Sequence, residues 1–190
     1  MPLILSKQSE YEFEEKKSKF LAYCLPVATE DGALQFLKSI QKRHSDASHN
    51  CYAYSIQGGA TRFSDDGEPQ GTAGMPILNV FQKQGITNFI CVVTRYYGGI
   101  QLGTGGLVRA YSSAAKGAIT ASGTQEFISY KTFKVKCVYS NLDKVKYHFD
   151  KLGIKILNQN FTDQCELEVS VKEDLVEQFL KNDFYVIVGE

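Results

Sequence analysis

Five glycines followed by a helix-like segment form the part of this sequence best suited to bind an anion. The segment, VVTRYYGGIQLGTGGLVRAYSSAAKGA, spans residues 92–118, and its glycines are Gly98, Gly99, Gly103, Gly105 and Gly106. A helix start presents free N–H groups and a partial positive charge, and the flanking Arg95 and Arg109 suit phosphate. The spacing matches neither the P-loop nor the dinucleotide-binding pattern. We predict an oxyanion or phosphate contact here. The alternative is that the glycines only permit a tight crossover.

A second candidate loop, SDDGEPQGTAG, carries Asp65, Asp66 and Glu68 within four residues, with Thr72 close behind. Paired carboxylates could ligate a hard cation or act as acid and base. They could equally orient nearby arginines, and D-D-G-E also makes a good solvated turn. The longer ligand ladder of a calcium loop is absent, so we expect no metal and no bound cofactor.

His49 and Cys51 form an H-x-C pair beside a predicted strand, which puts both side chains on the same face. No C-x-x-C accompanies them, so this is not a zinc deaminase signature. A Cys-His nucleophile pair is one interpretation, and a polar contact of His49 at the sheet edge is the other. Tyr96 and Tyr97, at the end of a strand beside Arg95, could stack on the bases of single-stranded RNA.

The elements that would position these loops are of mixed type in the first half of the chain. Strands are predicted at Glu10–Glu14 and Phe20–Val27, then a helix from about Asp31 and a hairpin around Gln57-Gly58-Gly59. A helix begins near Pro76, and a strand, the glycine loop and a long helix follow. We expect an α+β domain over residues 1–130, with helices that cover one side of its sheet.

The second half predicts a separate small domain over residues 131–190. Apolar residues alternate from Lys131 to Tyr139, as in a half-buried strand, and then step by three and four from Leu142 in a helix that Gly153 ends. Two strands, a helix and a last strand follow. The order βαββαβ is the ferredoxin-like split.

Charge and cysteine usage limit the classes of function. Before residue 130 there are 12 basic and 11 acidic residues, and after it 9 and 10, so neither half has the basic excess of a dedicated nucleic-acid binder. The five widely spaced cysteines indicate reduced, buried thiols. No apolar run reaches the length of a membrane helix. We expect a cytoplasmic protein that does not contact membranes.

Three segments together resemble the motifs of the IMPACT family, and in particular those of its bacterial, YigZ-type members. They are EKKSKF, ASHNCYAY and SDDGEPQGTAGMPILNVFQKQGITNFICVVTRYYGGIQLGTGGLVRAYSSAAKGAI. The resemblance implies an N-terminal βαβ-type domain similar to the fourth domain of elongation factor G and a C-terminal ferredoxin-like domain similar to its fifth. It also implies a link to translation, because eukaryotic relatives regulate translation through a kinase-activating partner.

We therefore expect a cytoplasmic, translation-associated regulator that binds RNA, the ribosome or a ribosome-linked protein through the glycine loop and its flanking arginines. One alternative is an enzyme that acts on a phosphorylated or carboxylated small molecule, in which the glycine loop holds the anion and Asp65, Asp66 or Glu68, alone or with His49, transfers a proton. Another is a protein-interaction domain without a ligand, in which both loops serve folding alone. Of these three hypotheses, the sequence favours the binding module.

Overall fold

The structure is a computed structural model that describes residues 2–189. Its contacts divide the chain into two compact units between Phe127 and Ile128. The predicted fold class, α+β in two domains, is confirmed. Among residues 2–189, no helix is long and apolar enough to cross a membrane.

From residue 2 onwards, the first unit contains seven strands and three helices. The elements are β1 (Leu3–Leu5), β2 (Ser9–Glu15), β3 (Ser18–Pro26), α1 (Glu30–Arg43), β4 (His49–Ser55), β5 (Thr61–Ser64), α2 (Gly74–Lys83), β6 (Phe89–Tyr96), α3 (Thr104–Ser122) and β7 (Thr124–Glu126). Five of the strands form an antiparallel sheet with the order β2-β3-β6-β4-β5, and β1 and β7 form a separate two-stranded sheet.

Helices cover both faces of this sheet, so the expectation of a one-sided layer is wrong. One face packs against α1 through a cluster that includes Tyr23, Leu37 and Ile90. The other packs against α2 and α3 through a larger cluster that includes Phe20 and Tyr111. The reason lies in β6, which is buried from Phe89 to Arg95 without alternation. A continuous buried run indicates a strand that is covered on both faces.

The second unit contains, up to residue 189, four strands and two α-helices. The elements are β8 (Tyr130–Cys137), α4 (Leu142–Leu152), β9 (Lys155–Phe161), β10 (Cys165–Lys172), α5 (Val176–Leu180) and β11 (Val186–Gly189). The strands form an antiparallel sheet with the order β11-β8-β10-β9, which is the strand order of the ferredoxin-like split. The helices pack on the sheet through a core that includes Phe149 and Phe179, and α4 ends, as predicted, at Gly153 in the left-handed conformation.

Candidate functional site

The acidic loop and the glycine loop face each other across one cleft of about 510 Å³ in the first unit. The acidic loop contributes Glu68 and Pro69, and the end of β6 and the glycine loop contribute the opposite wall. The lining residues are Ser48, His49, Glu68, Pro69, Arg95, Tyr97, Gln101, Leu102, Gly103, Thr104 and Leu107. The two segments that the sequence singled out therefore belong to a single site.

Two of the three carboxylates in the acidic loop hold the loop itself. Asp65 accepts hydrogen bonds from the backbone N–H groups of Gly71, Ala73 and Gly74, at 2.8, 3.0 and 2.8 Å. Asp66 accepts one from the backbone N–H of Asn50 at 2.6 Å. These contacts fix the start of α2 and join the loop to β4, so both carboxylates are engaged with the backbone.

Glu68 points into the cleft and forms a buried ion pair with Arg95. Its Oε1 atom lies 2.7 Å from Arg95 Nη1, and the two side chains are 3% and 5% exposed. Tyr111 also donates its hydroxyl hydrogen to this oxygen at 2.8 Å. The Arg95 guanidinium lies between the rings of Phe20 and Tyr97, 5.5 and 5.3 Å from their centroids. Contacts from distant parts of the chain thus hold the Arg95 guanidinium in place.

One polar atom of Arg95 is left without a partner. Its Nη2 donates to Ser18 Oγ at 3.3 Å and its Nη1 to Glu68, but the buried Nε–H has no acceptor among the described residues. A buried donor without an acceptor costs about 1–3 kcal/mol. A ligand oxygen that reached Nε through the cleft would remove that cost.

The interpretation of His49 and Cys51 as a nucleophile pair is wrong. Cys51 is fully buried, its thiol donates to the carbonyl of Asp65, and burial raises the pKa of this thiol. His49 Nδ1 lies 2.8 Å from the carbonyl oxygen of Asp66, which can only accept, so Nδ1 carries a proton. His49 Nε2 faces Glu68 Oε1 at 3.8 Å. The thiol is protonated and inaccessible, and His49 alone faces the cleft.

The glycine loop brings the start of α3 to the cleft. Gly103, with a φ of 71°, precedes the first turn of α3, and no side chain caps this end of the helix. The first intrahelical bond runs from Leu107 N–H to Gly103 C=O. The amides of Thr104, Gly105 and Gly106 come before it and have no intrahelical acceptor. The positive end of the α3 dipole therefore lies at the cleft, whose wall includes Gly103 and Thr104.

The remaining predicted site residues fall into two groups. Gly98, Gly99, Gly105 and Gly106 shape the loop and the first turn, and Thr72 is buried with its hydroxyl on the carbonyl of Pro69. None of these residues lines the cleft, and neither do Tyr96 and Arg109. Tyr96 binds His44 and Asp46, because neighbouring residues of a strand point to opposite faces. Tyr97 is the tyrosine of this pair that faces the cleft.

Sequence reasoning gave no role to Ser18, Ser48, Gln101 and Thr104. Ser18 and Ser48 lie in the segments EKKSKF and ASHNCYAY, and their hydroxyls accept from the backbone N–H groups of Gly98 and Tyr97. Thr104 is the first residue of α3. A systematic assignment of the helix start would have found Thr104, but the contacts of Ser18 join strands far apart in the chain and leave no local signal.

The charge around the cleft is uneven although the whole chain is neutral. No Asp or Glu occurs between Glu68 and Glu126, a stretch that contains α2, β6, the glycine loop and α3. The basic residues of α2 and α3 are Lys83, Arg109 and Lys116, and all three are exposed. Lys83, Arg109 and Lys116 lie outside the cleft lining and Arg95 is paired with Glu68, so the attraction for an anion within the cleft comes from the start of α3, which has no acidic residue in its first turn.

The model of the Impact N-terminal domain matches residues 16–119, which include both loops of the cleft. An IMPACT family member of Haemophilus influenzae is 37% identical over 174 residues, which cover 89% of this chain and 84% of that protein. The chain belongs to the IMPACT family. The IMPACT family member YigZ of Escherichia coli is 35% identical, with 87% of this chain and 83% of YigZ covered.

The IMPACT domain is followed by a match to a domain of unknown function, DUF1949, at residues 135–182 in the second unit. A solved structure titled a hypothetical protein is similar to the chain, with a TM-score of 0.70 and 30% identity. The match covers 99% of this chain and 96% of that structure. Both units of the chain therefore have counterparts in that solved structure.

Proposed function

We propose that this IMPACT family protein is a cytoplasmic, translation-associated regulator that binds single-stranded RNA in the cleft. Family membership supports a role in translational regulation in general. The observation that carries RNA binding is that the uncapped start of α3 and Arg95, whose Nε–H has no partner among the described residues, line one cleft in which the carboxylate of Glu68 is already paired with Arg95. Such an arrangement suits an anionic oxygen, and a phosphate provides several.

The base of the same nucleotide would stack on Tyr97. This ring is 48% exposed and lies over the Arg95 guanidinium on its other side. An exposed aromatic ring beside a phosphate site is the usual platform for an unpaired base, and stacking contributes about 1–3 kcal/mol per base. A base in a duplex already stacks on its neighbours. The geometry therefore favours a single strand over a duplex, and the link of the family to translation favours RNA.

The enzyme hypothesis has less support than the binding hypothesis. Asp65 and Asp66 are engaged with the backbone, and the Cys51 thiol is buried. Glu68 is held by Arg95 and Tyr111. His49 is the remaining predicted proton-transfer residue, and general acid-base catalysis needs a positioned partner at the reacting atom.

The test is the affinity of the full chain for a fluorescent single-stranded RNA, compared between the wild type and Thr104→Asp. An acidic residue in the first turn of a helix stabilises the helix by about 0.3–1 kcal/mol, but it places a negative charge at the proposed phosphate. We expect affinity to fall at least 10-fold while the thermal midpoint stays or rises. Ser113→Asp, at an exposed position later in α3, is the matched control and should bind as the wild type does.

Salt dependence provides the second readout. Two to three phosphate contacts to a single strand predict a loss of roughly 10-fold in affinity between 50 and 200 mM salt. Absence of wild-type binding at the lower salt would refute RNA binding. Equal affinities of the wild type and Thr104→Asp for RNA would show that the start of α3 is not part of the binding site. An acidic peptide of equal charge that bound as tightly as RNA would indicate a protein partner instead.

A further inference from the structure

The turn between β2 and β3 has an unexpected composition for its backbone conformation. The pairing of Glu15 with Ser18 leaves a two-residue loop, Lys16-Lys17, whose φ angles are 48° and 63°. Two positive φ angles in a two-residue hairpin loop define a type I′ turn, which strongly prefers Asn-Gly. Side chains with a Cβ are disfavoured in this conformation. Two lysines therefore occupy positions that folding alone would give to other residues.

This turn is packed tightly against the glycine loop of the cleft. A Cβ atom added to Gly98 would lie 1.9 Å from the carbonyl oxygen of Lys17 and 2.6 Å from its Cβ, so only glycine fits. The hydroxyl of Ser18 accepts from Gly98 N–H and from Arg95 Nη2, both at 3.3 Å. The backbone of the turn is consequently held against Gly98, and Ser18, the residue after it, contacts Arg95.

Neither lysine is used by the fold. Both are exposed, and within residues 2–189 neither ammonium group forms an ion pair, whereas the nearby Lys19 pairs with Glu12 at 3.1 Å. Glu15, the last residue of β2, precedes the turn directly, but no ion pair joins it to either lysine within residues 2–189. Strained backbone conformations cluster at functional sites, and this turn packs against Gly98, the neighbour of the cleft residue Tyr97.

We propose that Lys16 and Lys17 form a second phosphate subsite, so that the ligand is a strand with at least two successive phosphates and not a free mononucleotide. This inference rests on the proposed function. The first phosphate lies at the start of α3 and Arg95 Nε, the base stacks on Tyr97, and the next phosphate of the strand meets the lysines. The EKKSKF segment then belongs to the same site as the two loops.

The double variant Lys16→Asn/Lys17→Gly tests the subsite without damaging the fold. It installs the residues that a type I′ turn prefers, so the thermal midpoint should rise. We expect the affinity for a single-stranded RNA to fall about 10-fold at 50 mM salt and the slope of log K against log salt to become shallower by about 0.7, the value for one phosphate on a single strand. Adenosine monophosphate should bind the wild type and the variant equally.

The matched control is Lys38→Gln/Lys42→Gln, which removes the same charge from α1, on the opposite face of the sheet. We expect it to bind RNA as the wild type does. A variant affinity equal to the wild type, or an equal loss in the control, would overturn the lysine subsite while the proposed function stands. Absence of any RNA binding by the wild type would overturn both.

Discussion

At the scale of single residues, the Glu68–Arg95 pair joins the acidic loop to the sheet. It is almost fully buried, whereas the Lys136–Glu166 pair in the second unit has the same 2.7 Å separation and side chains that are 39% and 42% exposed. Removing one partner of a buried pair leaves an uncompensated charge in the interior. Burial, rather than distance, should therefore decide what each pair contributes to stability.

We predict that Glu68→Ala lowers the free energy of unfolding by about 3–5 kcal/mol. The control Glu166→Ala should lower it by less than about 1 kcal/mol, because solvent screens an exposed pair. Urea unfolding followed by circular dichroism measures both. Similar losses in the two variants would show that the pair in the cleft is not sheltered from solvent.

Tyr54 makes the free energy of unfolding depend on pH in the alkaline range. Burial, together with the neighbouring Glu30 carboxylate, raises the pKa of its hydroxyl from 10.0 to about 12. Because the folded-state value is the higher one, this contribution is complete below pH 10 and is lost as pH rises towards 12. The stability advantage of the wild type over Tyr54→Phe should shrink by about 2 kcal/mol over that range. Urea midpoints at several pH values measure it, and a constant difference would contradict the assigned environment.

The sequence located the two loops that line the cleft, but it did not predict what each carboxylate of the acidic loop binds. Asp65, Asp66 and Glu68 are equivalent in a local pattern, yet two of them bind backbone amides and the third pairs with Arg95. The difference depends on partners that the fold brings from other segments, such as Ser18 in β3. Spacing along the chain carries no information about those contacts.

At the scale of elements, Asp65 anchors the start of α2 and so positions the acidic wall of the cleft. Its carboxylate accepts from three backbone amides, whereas the N-cap of α1, Thr29, accepts from Gly32 N–H alone. We predict that Asp65→Ala costs about 3 kcal/mol of unfolding free energy and Thr29→Ala about 1 kcal/mol. Urea unfolding compares them, and an equal cost would show that the loop does not need its carboxylate.

The order of the longer elements was predictable, but the short strands β1 and β7 and the layering of the first unit were not. Periodicity located α1 and the helices of the second unit because each has one apolar face. The continuous apolar run of β6 predicted a strand without indicating that α1 and α3 pack on opposite faces of it. Periodicity reports whether a residue is buried, but not which element buries it.

At the scale of the whole molecule, we propose that the two units fold independently. Each has its own hydrophobic core, and between them Ile128 is 44% exposed. Limited digestion with chymotrypsin should cut first between Phe127 and Tyr130 and release two resistant fragments. Mass spectrometry identifies the cut sites. First cuts within the sheet of either unit would contradict independent folding.

We propose that the start of α3 and Arg95 Nε form a phosphate site for single-stranded RNA. The most direct measurement is nuclear magnetic resonance of ¹⁵N-labelled full-length protein during titration with a short single-stranded RNA. We predict saturable shifts of the Thr104, Gly105 and Gly106 amides and of the Arg95 Nε–H resonance. Saturable shifts confined to the second unit, or no shifts at all, would contradict the claim.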